Sequence, residues 1–305
     1  MSKINMIRRA ATPAGKGKKM NYLEFREYMV ENIGEHLPPQ YSDCEITVMP
    51  IPKLNGYRES IVISQGTPME PIPNLYVDDL FDIYKKSGSA ESAIEYAVDL
   101  FVYGKSAAEN MGADALTTIK KDHIILMLMN TGSNKKMLRD VPHREILDLS
   151  IIYRYMLPLP DGSCNLLTIS NAMLDMLELT EEEMFDLALE NTQRLLPLEI
   201  RDLGSNILVL TNEKGMLGAA VMMYEGTLDT LTDLYDSDFY LIPSSIHEMI
   251  AVPVNEDVRE SYLKDLISDA NRNVLMPTDV LSDTLYYYRC SDGRIVAAEE
   301  AQVRS

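Results

Sequence analysis

The sequence predicts a mixed α+β fold in which largely antiparallel sheets pack against amphipathic helices. Apolar residues recur at helical spacing in some segments and alternate with polar residues in others, as in half-buried helices and strands. The dipeptides Asn55-Gly56 and Asp292-Gly293 each stand between strand-like segments and favour hairpins. Because helices and strands interleave without a regular strand–helix–strand alternation, antiparallel pairing is expected.

In the first half of the chain, periodicity indicates an initial helix, a hairpin, two further helices and a buried strand. Phe25, Met29 and Ile33 recur at helical spacing before Gly34, where the first helix is expected to end. The apolar run 124–129 is short and sharply bounded, which favours a strand. The predicted elements are a helix at 22–33, strands at 44–51 and 60–64, helices at 77–86 and 90–103, and a strand at 122–129.

The second half of the chain mixes more strands with four helices. Thr180 followed by Glu183 fits a capping box at the start of a helix. Segment 245–252 is ambiguous between strand and helix. The predicted elements are strands at 147–157, 164–169, 206–210, 219–223 and 239–242, helices at 171–177, 181–195, 228–235 and 257–269, and a hairpin within 284–297.

A chain of 305 residues is expected to form one large domain or two medium ones. Residues 1–19 are basic and aperiodic, and a second methionine, Met20, follows them; they are predicted to be a disordered tail or an upstream start. The polar loop 130–136 is the best candidate boundary between an N-terminal α+β region at 20–131 and a C-terminal α+β region at 137–300. One continuous domain fits the pattern equally well.

The chain is strongly acidic, with 28 basic against 47 acidic residues and a formal charge of −19. Residues 1–19 hold six bases and no acid, so the remaining chain carries −25. Such a body repels phosphate backbones and anionic membrane surfaces. Direct nucleic-acid binding by the folded part and membrane binding are therefore not expected.

Cysteine spacing and hydropathy indicate a cytoplasmic protein. Cys44, Cys164 and Cys290 lie more than 100 residues apart, which makes a disulfide framework or a zinc site improbable. No apolar run approaches the ~20 residues that span a bilayer, and the basic N-terminus lacks the apolar core of a secretory signal. No metal and no cofactor are expected.

The local signatures of three large enzyme groups are missing: the phosphate-binding P-loop, the dinucleotide-binding glycine motif and the serine-hydrolase elbow. Glycines at 215 and 218 resemble a phosphate loop only superficially. They lie between two predicted strands, at 206–210 and 219–223, and a bent hairpin is the favoured interpretation.

A polar motif follows the predicted strand at 239–242: Pro243-Ser244-Ser245-Ile246-His247-Glu248. If the strand continues, Ser245 and His247 point to one face, where a serine nucleophile would lie beside its base. If a helix begins here, Ser245 and Glu248 form a capping box. The capping box is favoured because the motif implies no third orienting group, and Ala251 replaces the second histidine of a zinc peptidase.

Residues 215–258 contain eight acidic residues and no Lys or Arg. A solvated face is the simplest interpretation of such a stretch. The alternative is an acidic surface that binds a basic partner, including a partner whose usual ligand is nucleic acid.

Short segments spread along the chain match a shared pattern. They lie at 21–25, 191–197, 210–212, 218–220, 241–248, 281–283 and 287–288. Together they resemble a bacterial family catalogued as a domain of unknown function, over about residues 21–290 and most specifically at 243–248. The resemblance implies one continuous folded unit, and it implies no activity, cofactor or catalytic residue. Residues 1–19 depart from the pattern.

Since catalytic and cofactor signatures are missing, the preferred function is a non-enzymatic cytosolic module that binds a protein partner through an acidic surface. One alternative is a hydrolase that uses Ser245, His247 and Glu248. The other is an acidic nucleic-acid mimic that inhibits a DNA-binding protein. A hydrolase needs a concave pocket at His247, whereas a mimic needs carboxylates in a regular convex row.

Overall fold

A computed structural model describes residues 19–66, 73–111, 119–158 and 164–301. The chain divides into two compact units. The first unit ends at residue 112. Residues 52–57 are not part of it, because they belong to the second unit together with the chain from residue 113 onward. The predicted basic tail lies, except for Lys19, outside the described residues. The polar loop 130–136 lies inside the second unit, and whether the chain acts as one domain or two stays a prediction.

The first unit combines three helices with a three-stranded sheet of order β1-β2-β3. Its elements are α1 (Tyr22–Asn32), β1 (Glu45–Lys53), β2 (Gly56–Ser64), β3 (Leu75–Tyr76), α2 (Val77–Ser87) and α3 (Ala90–Met111). A capping box starts α1: Asn21 Oδ1 accepts the Glu24 N–H at 3.0 Å, and the Glu24 carboxylate accepts the Asn21 N–H at 2.9 Å. Phe25, Met29 and Phe101 are fully buried in its core.

The β1–β2 connection is tighter than the sequence predicts. The strands extend to Lys53 and from Gly56, so only Leu54 and Asn55 form the turn. Asn55 adopts a left-handed φ of 59°, a conformation that asparagine tolerates better than most residues.

A four-stranded sheet opens the second unit, with strands β4 (Ile124–Asn130), β5 (His143–Ile146), β6 (Leu149–Pro158) and β7 (Cys164–Thr168). β4 pairs antiparallel with β6. β5 and β7 follow one another along the opposite edge of β6, where His143 pairs with Ile152 and Thr168 with Arg154. β5 is an element that the sequence prediction missed.

The other sheet of the second unit has six strands in the order β13-β12-β10-β11-β9-β8. They are β8 (Leu198–Asp202), β9 (Leu208–Asn212), β10 (Phe239–Ser245), β11 (Glu248–Pro253), β12 (Tyr286–Arg289) and β13 (Arg294–Ala297). Every pair of these neighbours is antiparallel. The predicted α+β class with mostly antiparallel sheets is therefore confirmed.

The first four helices of the second unit lie close to their predicted positions, and the last described one was not predicted. In chain order they are α4 (Asn171–Met176), α5 (Glu181–Leu195), α6 (Thr227–Tyr235), α7 (Glu260–Asn273) and α8 (Ala298–Ala301). The predicted capping box of α5 is present, since Thr180 Oγ1 accepts the Glu183 N–H at 3.2 Å and the Glu183 carboxylate accepts the Thr180 N–H at 2.8 Å. No helix in the described ranges is both long and apolar enough to cross a membrane.

The predicted strand at 219–223 and its bent hairpin are wrong. These residues form a 3₁₀ helix, Gly218–Met223, in which Gly218 through Met222 are all buried. Leu217 enters it with a left-handed φ of 53°. Burial on every side leaves no alternation to separate helix from strand, and a short apolar run is ambiguous for that reason.

The central strands of the six-stranded sheet are packed on both faces. Phe239, Leu241 and Tyr286 join a large core shared with β4 and β6. On the opposite face, Tyr240 and Val252 pack with two buried side chains of α7. These are Leu263 and Ile267. The hairpin between β10 and β11 thus rises from the middle of a layer that is packed on both faces.

Side chains of α5 cover the free edge of β4. Thr192 Oγ1 accepts a hydrogen bond from the Leu126 N–H at 2.8 Å. The Asn191 amide donates to the carbonyls of Lys121 and Ile124 at 2.8 and 3.1 Å. The helix therefore satisfies backbone groups that a neighbouring strand would otherwise pair with.

Buried tyrosines predict a loss of stability in alkaline solution. Burial raises the pKa of Tyr153, Tyr224 and Tyr286 above the ordinary value of 10.0. The folded state requires the protonated phenols, so their contribution is complete below about pH 10 and is lost as the pH rises through the raised pKa values. We expect the free energy of unfolding to fall above that pH by up to about 1.4 kcal/mol per pH unit for each tyrosine, as measured by urea titrations.

Tyr224→Phe should make this decline shallower, because it removes a titrating group while keeping the ring. Tyr262→Phe is the matched control, since the Tyr262 side chain is 61% exposed. A free energy of unfolding that stays constant between about pH 9 and pH 11 would contradict the prediction.

Candidate functional site

The motif at 243–248 forms the tip of the β10–β11 hairpin. Ser245 ends β10, Glu248 begins β11, and the two residues are cross-strand partners. The register shifts between Ile242 and Ser245, so the strands do not pair regularly at the tip. The chain therefore neither continues as one strand nor starts a helix, and the interpretation of a helix-capping box is wrong.

Ser245 is buried at 7% exposure and stabilises the turn. Its Oγ accepts a hydrogen bond from the His247 N–H at 3.0 Å. This is a local side chain–backbone turn of the kind that serine commonly forms. The hydroxyl thus contacts the backbone of His247.

The imidazole of His247 is held by two other segments. Its Nδ1 accepts a hydrogen bond from the Leu217 N–H at 3.1 Å, which leaves Nε2 as the protonated nitrogen of the neutral ring. Nε2 lies 3.8 Å from Asp279 Oδ1, and the ring is 40% exposed. With both nitrogens directed at Leu217 and Asp279, the ring is not placed to accept a proton from Ser245, as nucleophilic catalysis requires.

Glu248 contacts the other serine of the motif. Its Oε1 accepts a hydrogen bond from Ser244 Oγ at 2.9 Å. The structure therefore places Ser245, His247 and Glu248 within one hairpin tip but joins them to different partners. Among the described residues, no group of three or more His, Cys, Asp and Glu side chains could hold a metal ion.

Hydrogen bonds from other segments of the second unit hold the backbone of the hairpin tip. Thr211 Oγ1 donates to the His247 carbonyl at 2.9 Å, and the Ala219 N–H donates to the Ile246 carbonyl at 3.2 Å. The Ile246 N–H donates to the Asp279 carbonyl at 2.9 Å. Sequence reasoning missed Thr211, Leu217 and Asp279, because partners some 30 residues away carry no local signal.

An open apolar groove of about 460 Å³ lies elsewhere in the second unit. It runs between the 3₁₀ helix, the start of α6 and the β12–β13 hairpin. Its apolar walls are Ile146, Met222, Met223, Leu228 and Ile295, and Asp229 and Arg294 add one charge of each sign. Burial raises the pKa of Tyr288 on the groove wall, and the negative charge of Asp229 raises it further.

The eight carboxylates of 215–258 divide into two groups. Glu225, Asp229, Asp233, Asp236, Glu256 and Asp257 are exposed. Asp238 accepts hydrogen bonds from the Tyr287 hydroxyl and the Cys290 N–H at 2.5 and 2.8 Å, while Glu248 is bonded to Ser244. Burial, together with Asp238, raises the pKa of Tyr287. Two of the acids therefore have internal structural roles.

A family model matches the chain at residues 22–207 and 204–290. The model is that of DUF5688, described as a family of unknown function. The chain belongs to DUF5688. No curated protein and no solved structure matches it.

The DUF5688 match includes most of the features described above. It covers the hairpin at 243–248, the 3₁₀ helix and all of α6. It ends at residue 290, before β13, so Arg294 and Ile295 on one side of the groove lie beyond it. The resemblance predicted for residues 21–290 is confirmed.

Proposed function

We propose that this DUF5688 protein is a non-enzymatic protein-binding module whose second unit binds a basic, amphipathic segment of a partner. The observation that carries the proposal is the apolar groove, which is bordered by exposed carboxylates of α6. We place the protein in the cytoplasm, since Cys44, Cys164 and Cys290 are thiols and not disulfides, as is usual in a reducing compartment.

The groove supplies the apolar part of the interface. Met222 and Met223 lie beside each other in its wall, and methionine adapts its shape to different apolar partners. Leu228 and Ile295 are partly buried and complete the surface. Burying one leucine-sized side chain of a partner here would contribute about 1.5–3 kcal/mol.

The carboxylates supply the electrostatic part. Asp229 lines the groove, and Asp233 follows one helical turn later on α6, so the two lie on the same side of that helix. Glu225 and Asp236 stand just before and just after the helix and are exposed. Such a group of like charges accelerates the encounter with a basic partner and selects against acidic ones.

The structure of the hairpin tip gives less support to a hydrolase, and the structure of the acidic stretch gives less support to a nucleic-acid mimic. A hydrolase needs a base beside Ser245, whereas the imidazole of His247 contacts Leu217 and Asp279. A nucleic-acid mimic needs an uninterrupted row of carboxylates, whereas Asp238 and Glu248 are bonded internally.

Selection from a random peptide library, displayed against the whole protein, tests the proposal. We expect enriched peptides to combine Lys or Arg with at least one large apolar residue. Asp229→Asn combined with Asp233→Asn should weaken their binding at least ~10-fold in fluorescence anisotropy and reduce its salt dependence, because two attractive charges are removed.

Asp265→Asn combined with Asp269→Asn is the matched control. These residues are also exposed, four positions apart on a helix, but they lie on α7 away from the groove. We expect this control to change affinity by no more than about twofold. Enriched peptides without basic residues, or equal losses in the two double variants, would contradict the proposed function.

A further inference from the structure

A small cavity in the second unit concentrates positive charge in an otherwise acidic protein. We propose that Lys53, Lys135 and Lys136 form a site for a phosphate-bearing small molecule. The site is separate from the apolar groove and shares no lining residue with it. It therefore does not depend on the proposed protein-binding function.

The cavity measures about 140 Å³ and is lined by two segments of the second unit. Residues 52–57 contribute Lys53 and Tyr57, and the loop at 132–137 contributes Ser133, Lys135 and Lys136. Three lysines and a serine thus line one space. This donor set matches a phosphoryl group, which offers three acceptor oxygens and about two negative charges.

The residues that line the cavity carry a positive charge, whereas the whole chain carries a negative one. The formal charge of the protein is −19, yet no Asp or Glu is among the residues that line this cavity. In the described ranges, Lys85 and Lys264 lie 2.5 and 2.7 Å from carboxylates of their own helices, whereas Lys135 and Lys136 form no ion pair there. A bound anion would neutralise the positive charge of these two lysines, which no carboxylate of the described residues balances.

A pair of asparagines holds the two walls of the cavity together. The Asn55 N–H donates to Asn134 Oδ1 at 2.7 Å, and Asn134 Nδ2 donates back to Asn55 Oδ1 at 2.8 Å. Asn55 Nδ2 also donates to the carbonyls of Pro277 and Val280 at 2.9 and 2.7 Å. Asn134 is 3% exposed. The backbone that carries the lysines is therefore ordered before a ligand arrives, which lowers the entropic cost of binding.

Tyr57 adds an aromatic surface at the rim of the cavity. The Lys136 ammonium lies 4.8 Å from the centre of the Tyr57 ring, and this tyrosine is 48% exposed. The cation–π contact keeps Lys136 beside the cavity. The exposed part of the ring could stack on a nucleobase, so the phosphoryl group could belong to inorganic pyrophosphate or to a nucleotide.

Isothermal titration calorimetry of the full chain with pyrophosphate, ADP and adenosine, in about 50 mM NaCl, tests the site. We expect saturable binding of at least one phosphate-bearing ligand and no binding of adenosine. Lys135→Gln combined with Lys136→Gln should weaken binding at least ~10-fold. Lys120→Gln combined with Lys121→Gln is the matched control, since it removes an exposed lysine pair of the same unit outside the cavity, and it should change affinity no more than about twofold.

The calorimetric titrations distinguish a site for nucleotides from a site for free phosphates. A nucleotide site predicts tighter binding of ADP than of pyrophosphate, and a loss specific to ADP in Tyr57→Ala. A site for free phosphates predicts equal or tighter binding of pyrophosphate and no effect of Tyr57→Ala. The proposal is overturned if neither phosphate ligand binds, if adenosine binds as well as ADP, or if the two lysine-pair variants lose affinity equally.

Discussion

Gly218→Ala is expected to destabilise the second unit by about 3 kcal/mol. A Cβ atom at this position would lie 2.3 Å from the His247 carbonyl oxygen and 2.4 Å from Thr211 Oγ1. Neither atom can retreat easily, because the Thr211 hydroxyl is itself bonded to that carbonyl. Overpacking of a site with no room forces the backbone to shift, at a cost of about 1–3 kcal/mol or more. Urea unfolding of the purified variant measures the loss.

Gly56→Ala is the matched control for this prediction. No heavy atom lies within 4 Å of a Cβ built on Gly56, and neither glycine has a left-handed φ that would add strain. The control should therefore change the free energy of unfolding by no more than about 0.5 kcal/mol. A cost below about 1 kcal/mol for Gly218→Ala would show that the hairpin tip yields readily.

Asp148→Ala is expected to cost about 3–4 kcal/mol of stability, since one carboxylate joins two distant segments of the second unit. Asp148 Oδ1 accepts the Tyr286 hydroxyl at 2.6 Å, and Oδ2 accepts the hydroxyls of Ser282 and Thr284 at 2.6 and 3.1 Å. Hydrogen bonds to a charged group contribute about 1.5–3 kcal/mol each, and they are not additive. The substitution would also leave the buried Tyr286 hydroxyl without its carboxylate partner.

Chemical unfolding of single and double variants separates these contributions. Tyr286→Phe alone should cost about 1–2 kcal/mol, because it removes one hydrogen bond and keeps the ring. Asp148→Ala and Ser282→Ala should cost less together than the sum of their separate effects, since they share a bond. The exposed Asp175, on α4, gives the control Asp175→Ala, expected within about 0.5 kcal/mol. Equal small losses at Asp148 and Asp175 would contradict a joining role for Asp148.

Elements with strong local signals were predictable from the sequence. Helical periodicity identified α1, and the Thr180–Glu183 pair identified the start of α5, because both depend on residues within a few positions of each other. β5 was missed since His143, Arg144 and Glu145 form a polar segment. It is a strand only because β6 offers it an edge.

The candidate site was predictable only in part. The sequence located the polar motif at 243–248 but offered only an extended strand or a helix start there, and the structure forms a hairpin tip. That difference arises from contacts with Thr211, Leu217 and Asp279. The groove and the lysine cavity were invisible for the same reason, since each unites residues far apart in the chain.

The contacts of α5 with the edge of β4 also affect the tendency of the protein to aggregate. Residues 124–129 are a run of six apolar residues without charge or proline, the composition that favours cross-β stacking between chains. β4 lies at the edge of its sheet, where such a segment could recruit another molecule. By binding the backbone at Leu126 and Ile124, Thr192 and Asn191 obstruct that edge. The helix therefore obstructs self-association at this edge, and loss of its docking would expose an apolar, uncharged strand to other molecules.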